Sequence, residues 1–141
     1  MNSRAGGSRV GVVIVGHGRV ATGLLEAALP IVGDGLRDVI CVDAGAGQTP
    51  DLQDQLCRAM ETADGGLGVL LIVDLIGASP CSCGMKEGSG REFAVVSGMN
   101  LAMMLKLASL RDRIQRPHEL AAACAESGRR AITVQGRDCS K

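Results

Sequence analysis

Aromatic side chains are almost absent from this chain of 141 residues, which has one Phe, no Trp and no Tyr. It therefore lacks the platforms on which single-stranded bases stack. Net charge is absent too, because fifteen Lys and Arg balance fifteen Asp and Glu. No global basic field draws nucleic acid or anionic lipid, and nucleic-acid binding is not expected. No apolar run approaches the ~20 residues of a membrane-spanning helix. The run Val10 to Val15 closes on Gly16-His17-Gly18-Arg19, not on a small-residue cleavage site. Six cysteines fall below the density of a disulfide scaffold. Together these absences suggest a cytoplasmic, reduced protein with no direct membrane insertion.

What is present is aliphatic and small. Apolar residues make up 46% of the chain and glycines number 20, which suits Val, Leu and Ile strands packed closely under small-residue helices. The length fits one domain, expected at 9–136 between a flexible leader (1–8) and a polar tail (137–141). Val10–Val15, Val39–Asp43, Val69–Asp74 and Phe93–Ser97 read as short strands, the first and third being continuous apolar runs typical of strands buried on both faces. Between and after them, helical spacing covers Val20 to Ile31, with Pro30 expected to stop or kink it, and a stretch from Pro50 to about Ala63. Further helices are expected from Pro80 toward Lys86, from an Asn100 cap through Ala108, and over Glu119 to Glu126, the last closed by Gly128. Ala131 to Gln135 reads as a final short strand.

Alternating strands and helices predict an open, mainly parallel, doubly wound sheet flanked by helices. In the order 2-1-3-4, strands one and three are neighbours, and the crevice at their carboxyl ends is the usual ligand site. His17 lies just past strand one and Asp74 ends strand three, so this topology brings them to one crevice with Ser79 on its rim. An imidazole attacks phosphorus through one nitrogen only if the other holds the proton, and a carboxylate accepting that N–H fixes the tautomer. Gly16, Gly18, Gly77 and Ala78 are small enough for backbone N–H groups to approach phosphoryl oxygens. Ser79 adds a hydroxyl, and a helix from Pro80 would turn its positive end inward. The catalytic candidates are thus His17 and Asp74. The phosphate-binding candidates are Gly18, Gly77, Ala78 and Ser79.

Three segments carry a resemblance: Val12-Val-Ile-Val-Gly-His-Gly18, Val69-Leu-Leu-Ile-Val-Asp-Leu-Ile-Gly-Ala-Ser-Pro80 and Val95-Val-Ser-Gly-Met-Asn-Leu101. In this order and spacing the chain resembles the IIA domain of mannose/fructose/sorbose-type bacterial phosphotransferase systems, from about Arg9 to Gln135. The resemblance implies a phosphohistidine carrier in sugar transport. His17 would accept phosphate from the phosphocarrier HPr and pass it to a IIB component, with Asp74 as its hydrogen-bond partner and Ser79 in the phosphate loop. It also implies a homodimer in which the strand around Ala131 to Gln135 pairs with the partner subunit's sheet. The chain departs from the family where Gly16 replaces a frequent Thr, Leu75-Ile76 a frequent Thr-Trp, and Ala78 a second Gly. The sugar is not legible here.

Other readings stay open. One alternative is a regulatory phosphoprotein of the same fold that is not coupled to transport, and Val15-Gly-His-Gly18 also resembles the start of small tetrapyrrole chelatases. Gly16-x-Gly18 with Asp43 ending strand two suggests a nucleotide-binding module, although Ala21 breaks the glycine spacing. Cys81-Ser-Cys83 lacks the spacing and companions of a zinc site, so no metal and no cofactor is expected. Cys41, Cys57 and Cys124 read as packing residues, Cys139 as exposed, His118 as a surface or cap residue, and Arg111 to Arg116 as a solvated helix end.

Overall fold

The computed structural model of the protein describes residues 9–46, 50–75 and 92–140. Along them run β1 (Gly11–Gly16), α1 (Val20–Val32), a 3-10 turn (Gly33–Leu36), β2 (Ile40–Asp43), α2 (Pro50–Ala63) and β3 (Val69–Val73), then β4 (Phe93–Ser97), α3 (Leu101–Leu110) and α4 (Pro117–Arg130). The sheet is all parallel, in the order β2-β1-β3-β4. The expected helix after Pro80 lies outside the described residues.

Side chains alternate across a strand, so β1 feeds two cores. Val12 and Ile14 join Ala21 and Ala28 of α1, Met103, Met104 and Leu107 of α3, and Leu120, Ala121 and Cys124 of α4. Val13 and Val15 face the other way, onto Leu52, Leu56, Ala59 and Met60 of α2. Every residue of β1 and β3 is buried, as expected of parallel strands covered on both sides. The strand order reverses about β1, which places the carboxyl ends of β1 and β3 side by side at a topological switch point.

Several local expectations change. α1 runs through Pro30 to Val32, and Gly33, at φ +68°, ends it. Gly128 does not cap α4 but lies buried inside it: a Cβ there would fall 2.5 Å from Met103 Cγ, so its smallness serves the α3–α4 contact. α4 extends to Arg130, and residues 131–135 join no ladder among the described residues, with Ile132 and Val134 exposed. Arg111, expected in solvent, is 1% exposed. Its guanidinium donates to both Asp38 carboxylate oxygens and to the Val10 carbonyl, tying α3 to the start of β1. Burial pushes the Asp38 carboxyl upward, but hydrogen bonding and charge from Arg111, with help from Arg9, outweigh it and hold its pKa below 3.8.

Candidate functional site

Parallel register sets Val15 opposite Val73, so the residues that follow each strand meet at the rim. His17 and Asp74 are these residues. The His17 backbone N–H donates to Asp74 Oδ2 at 2.7 Å, and Nδ1 of its ring lies 3.1 Å from Oδ2 and 3.2 Å from Oδ1. The Leu75 backbone N–H donates to Oδ1 at 2.7 Å. An ionised carboxylate only accepts, so the His17 proton is assigned to Nδ1 and the lone pair to Nε2. The imidazole is 56% exposed and the carboxylate 21%. Partial burial raises the Asp74 pKa, but the hydrogen bonds from His17 and Leu75 and the nearby imidazole lower it more, and the net value falls below the ordinary 3.8.

The turn carrying His17 is stitched to its surroundings. Gly18 takes φ +55°, a conformation that L side chains rarely adopt. Its N–H donates to Gly45 O at 2.8 Å, while Ala44 N–H donates to Gly16 O at 2.8 Å. The Gly18 amide is thus engaged by Gly45 within the turn that carries His17. Gly77, Ala78 and Ser79, with Cys81 and Cys83, lie outside the described residues.

Gly16 has a steric cause. A Cβ there would sit 2.8 Å from Met99 Cε, 3.0 Å from Ala21 N and 3.1 Å from Val20 Cβ. Met99, just after β4, fills the space that a larger residue before the histidine would need. Its N–H is fixed to Val73 O at 3.1 Å.

Asp43, the carboxylate of the nucleotide reading, is tied to α1. Its carboxylate accepts from the Thr22 N–H at 3.1 Å and from Thr22 Oγ1 at 2.5 Å, so each oxygen holds one donor of α1. Sequence reasoning missed this pairing. The available signal was the position of Asp43 at the end of β2, in register with Gly16.

The remaining cysteines do not form a reactive cluster among the described residues. Burial pushes the Cys41 and Cys124 thiols up to about 11, and the carboxylates of Asp43 and Glu26 add to the effect at Cys41. Cys139 is exposed. Cys57 is disulfide-bonded, which departs from both its reading as a packing residue and the expectation of a fully reduced chain. His118 is exposed at the start of α4. Among the described residues no group of three His, Cys, Asp or Glu is placed to hold a metal ion, and no helix is long and apolar enough to cross a membrane.

Fold and site together define an open parallel α/β protein with a carboxylate-oriented histidine at the switch point of its sheet. The chain belongs to the EIIA-man family, the PTS system fructose IIA component, whose family model matches residues 11–124. It is a IIA component of the phosphotransferase system, a family whose general role is phosphotransfer. The mannose/sorbose-specific IIA subunit from Enterococcus faecalis is similar at 28% identity and a TM-score of 0.73, over 93% of this chain and 98% of that one. Component EIIA from Streptococcus agalactiae shares the fold at 22% identity and a TM-score of 0.73, over 89% and 96% of the two chains. A sigma-54 interaction domain protein from Enterococcus faecalis also shares the fold, at 18% identity and a TM-score of 0.67, over 88% and 93%. Comparison with curated proteins finds no match.

Proposed function

We propose that His17 is the phosphoryl carrier of this IIA component, accepting phosphate from HPr and passing it to a IIB component. The observation that carries this reading is the contact of Nδ1 with Asp74, which leaves the Nε2 lone pair as the nucleophile. As Nε2 forms its bond to phosphorus, the bond to the donor's leaving atom breaks and the electron pair departs with the donor. The ring becomes cationic, and Asp74 stabilises that charge through the Nδ1–H it already accepts. Reversal of the same step onto IIB regenerates the neutral imidazole. Phosphoryl transfer asks mainly for positioning and charge stabilisation, so a sparse site suffices. Gly77, Ala78 and Ser79 are proposed for the phosphate loop because small side chains and a hydroxyl follow Asp74 in the sequence.

Leu75, 67% exposed, and Val20 flank the histidine as an apolar rim, and this rim is the proposed seat for HPr and IIB in turn. The protein acts as a cytoplasmic homodimer. Exposed Ile132 and Val134 alternate with polar neighbours as a strand would, and β4 is a sheet edge with Val95 exposed, which supports pairing of residues 131–135 with a second copy.

Incubation with phosphoenolpyruvate, enzyme I and HPr tests the function. An acid-labile, base-stable phosphoryl adduct that His17→Ala abolishes is expected. Metal insertion into a tetrapyrrole without HPr, or saturable dinucleotide binding with no adduct, would overturn it. Transfer from HPr without onward transfer to any IIB component would place the protein in regulation.

A further inference from the structure

We infer that Asp43 and Thr22 form a positioning pair that aims the His17 turn at its phosphoryl donor. The inference rests on the proposed role of His17. Helix α1 starts at Val20, whose N–H donates to the His17 carbonyl at 2.9 Å, so the first turn of α1 and the histidine backbone move as one piece. Arg19, at the N-cap, makes no side-chain cap hydrogen bond, and the first turn of α1 has no acidic residue of its own. Cap and charge come instead from another strand. Asp43 accepts the Thr22 N–H with one oxygen and the Thr22 hydroxyl with the other. An acceptor for an N–H of the first turn and a negative charge at this pole are what a helix start lacks.

Asp43 is also in register with Gly16, the residue before the histidine. The turn is thus gripped from two sides. Asp74 holds the ring and backbone N–H of His17 from β3, and Asp43 holds the helix that follows from β2. Thr22 is half-buried and Asp43 touches it rather than the imidazole, so the pair acts through placement and not through contact with phosphorus. Backbone position matters here because an in-line transfer loses about a hundredfold for a misplacement near 1 Å.

The test uses the whole chain with histidine labelled with nitrogen-15, in wild type, Asp43→Ala, Thr22→Val and Thr22→Ser. In the unphosphorylated protein, ring nitrogen shifts report how firmly the proton of His17 stays on Nδ1, and His118, the second of two histidines, serves as an internal reference. Asp43→Ala and Thr22→Val are expected to move the His17 ring shifts toward a tautomer average and leave those of His118 in place. They are also expected to slow single-turnover transfer from HPr by about ten- to a hundredfold. Thr22→Ser, which keeps the hydroxyl, retains wild-type shifts and rate. If Asp43→Ala does not fold, Thr22→Val, near in shape to the native residue, carries the comparison. Wild-type ring shifts and rate in the folded variants overturn the inference. Wild-type protein that HPr does not phosphorylate overturns the proposed function instead, and the ring shifts then decide the positioning role alone.

Discussion

His17 Nδ1 and Asp74 Oδ2 stand 3.1 Å apart although 57 positions separate them in the chain. Neither side chain reaches far to achieve this. Each follows a buried strand directly, and the parallel register of β1 with β3 ends both strands at one level. The Asp74 carboxylate accepts three N–H groups, two from the same histidine.

Asp74→Asn should slow phosphoryl transfer on the order of 10²-fold, because an amide turned to offer its NH₂ favours the wrong imidazole tautomer and carries no charge to balance the imidazolium. The fold should survive, since the residue lies on the rim outside both cores. Rapid-quench kinetics with phosphorylated HPr, beside a thermal melt, measures both. An unchanged rate would remove Asp74 from the mechanism.

Stability should fall in acid. Asp74 and Asp38 both have folded pKa values below 3.8, so the unfolded chain binds protons more readily than the folded one. Their contribution is complete above the ordinary carboxylate pKa near 3.8 and is lost as pH drops through the lower folded values. Urea unfolding across pH 2–6 measures the slope, and Asp74→Asn combined with Asp38→Asn should flatten it. A slope unaffected by both changes would contradict the assignment.

Gly16→Thr should destabilise this chain by about 1–3 kcal/mol, since a Cβ there meets Met99 Cε and the α1 backbone. Met99 is the part able to give way. Met99→Ala should therefore recover part of the loss in the double variant, with a coupling of about 0.5–3 kcal/mol by denaturant unfolding.

Gly128→Ala offers a contest between two magnitudes. Helix propensity favours Ala by about 1 kcal/mol, while overpacking against Met103, whose Cγ would lie 2.5 Å from the new Cβ, costs about 1–3 kcal/mol. Packing should win, giving net destabilisation in a urea titration. A stabilised variant would show that α3 and α4 separate readily.

Strands and their order were legible because β-branched runs and the alternation of strand and helix have few parallel solutions. The meeting of His17 with Asp74 follows from that order alone. What escaped depended on single contacts between distant residues. Arg111 looks like any charge at a helix end until its partner Asp38, 73 positions away, is seen beside the Val10 carbonyl. Gly128 follows a run of helix formers just as a cap glycine does, and only the neighbouring Met103 shows that it is needed for closeness. Thr22 and Asp43 belong to adjacent elements whose side chains carry no periodic signal of meeting. Ile132 and Val134 have a strand's alternation, but a strand needs a neighbour, and this chain supplies none for them among the described residues.

The most direct measurement is to phosphorylate the wild-type chain with HPr and locate the phosphoryl group by phosphorus–nitrogen coupled NMR on histidine-labelled protein. Phosphorus on Nε2 of His17, with the proton retained on Nδ1, is the expected result. Phosphorus on Nδ1, on His118, or on a chain carrying His17→Ala would contradict it.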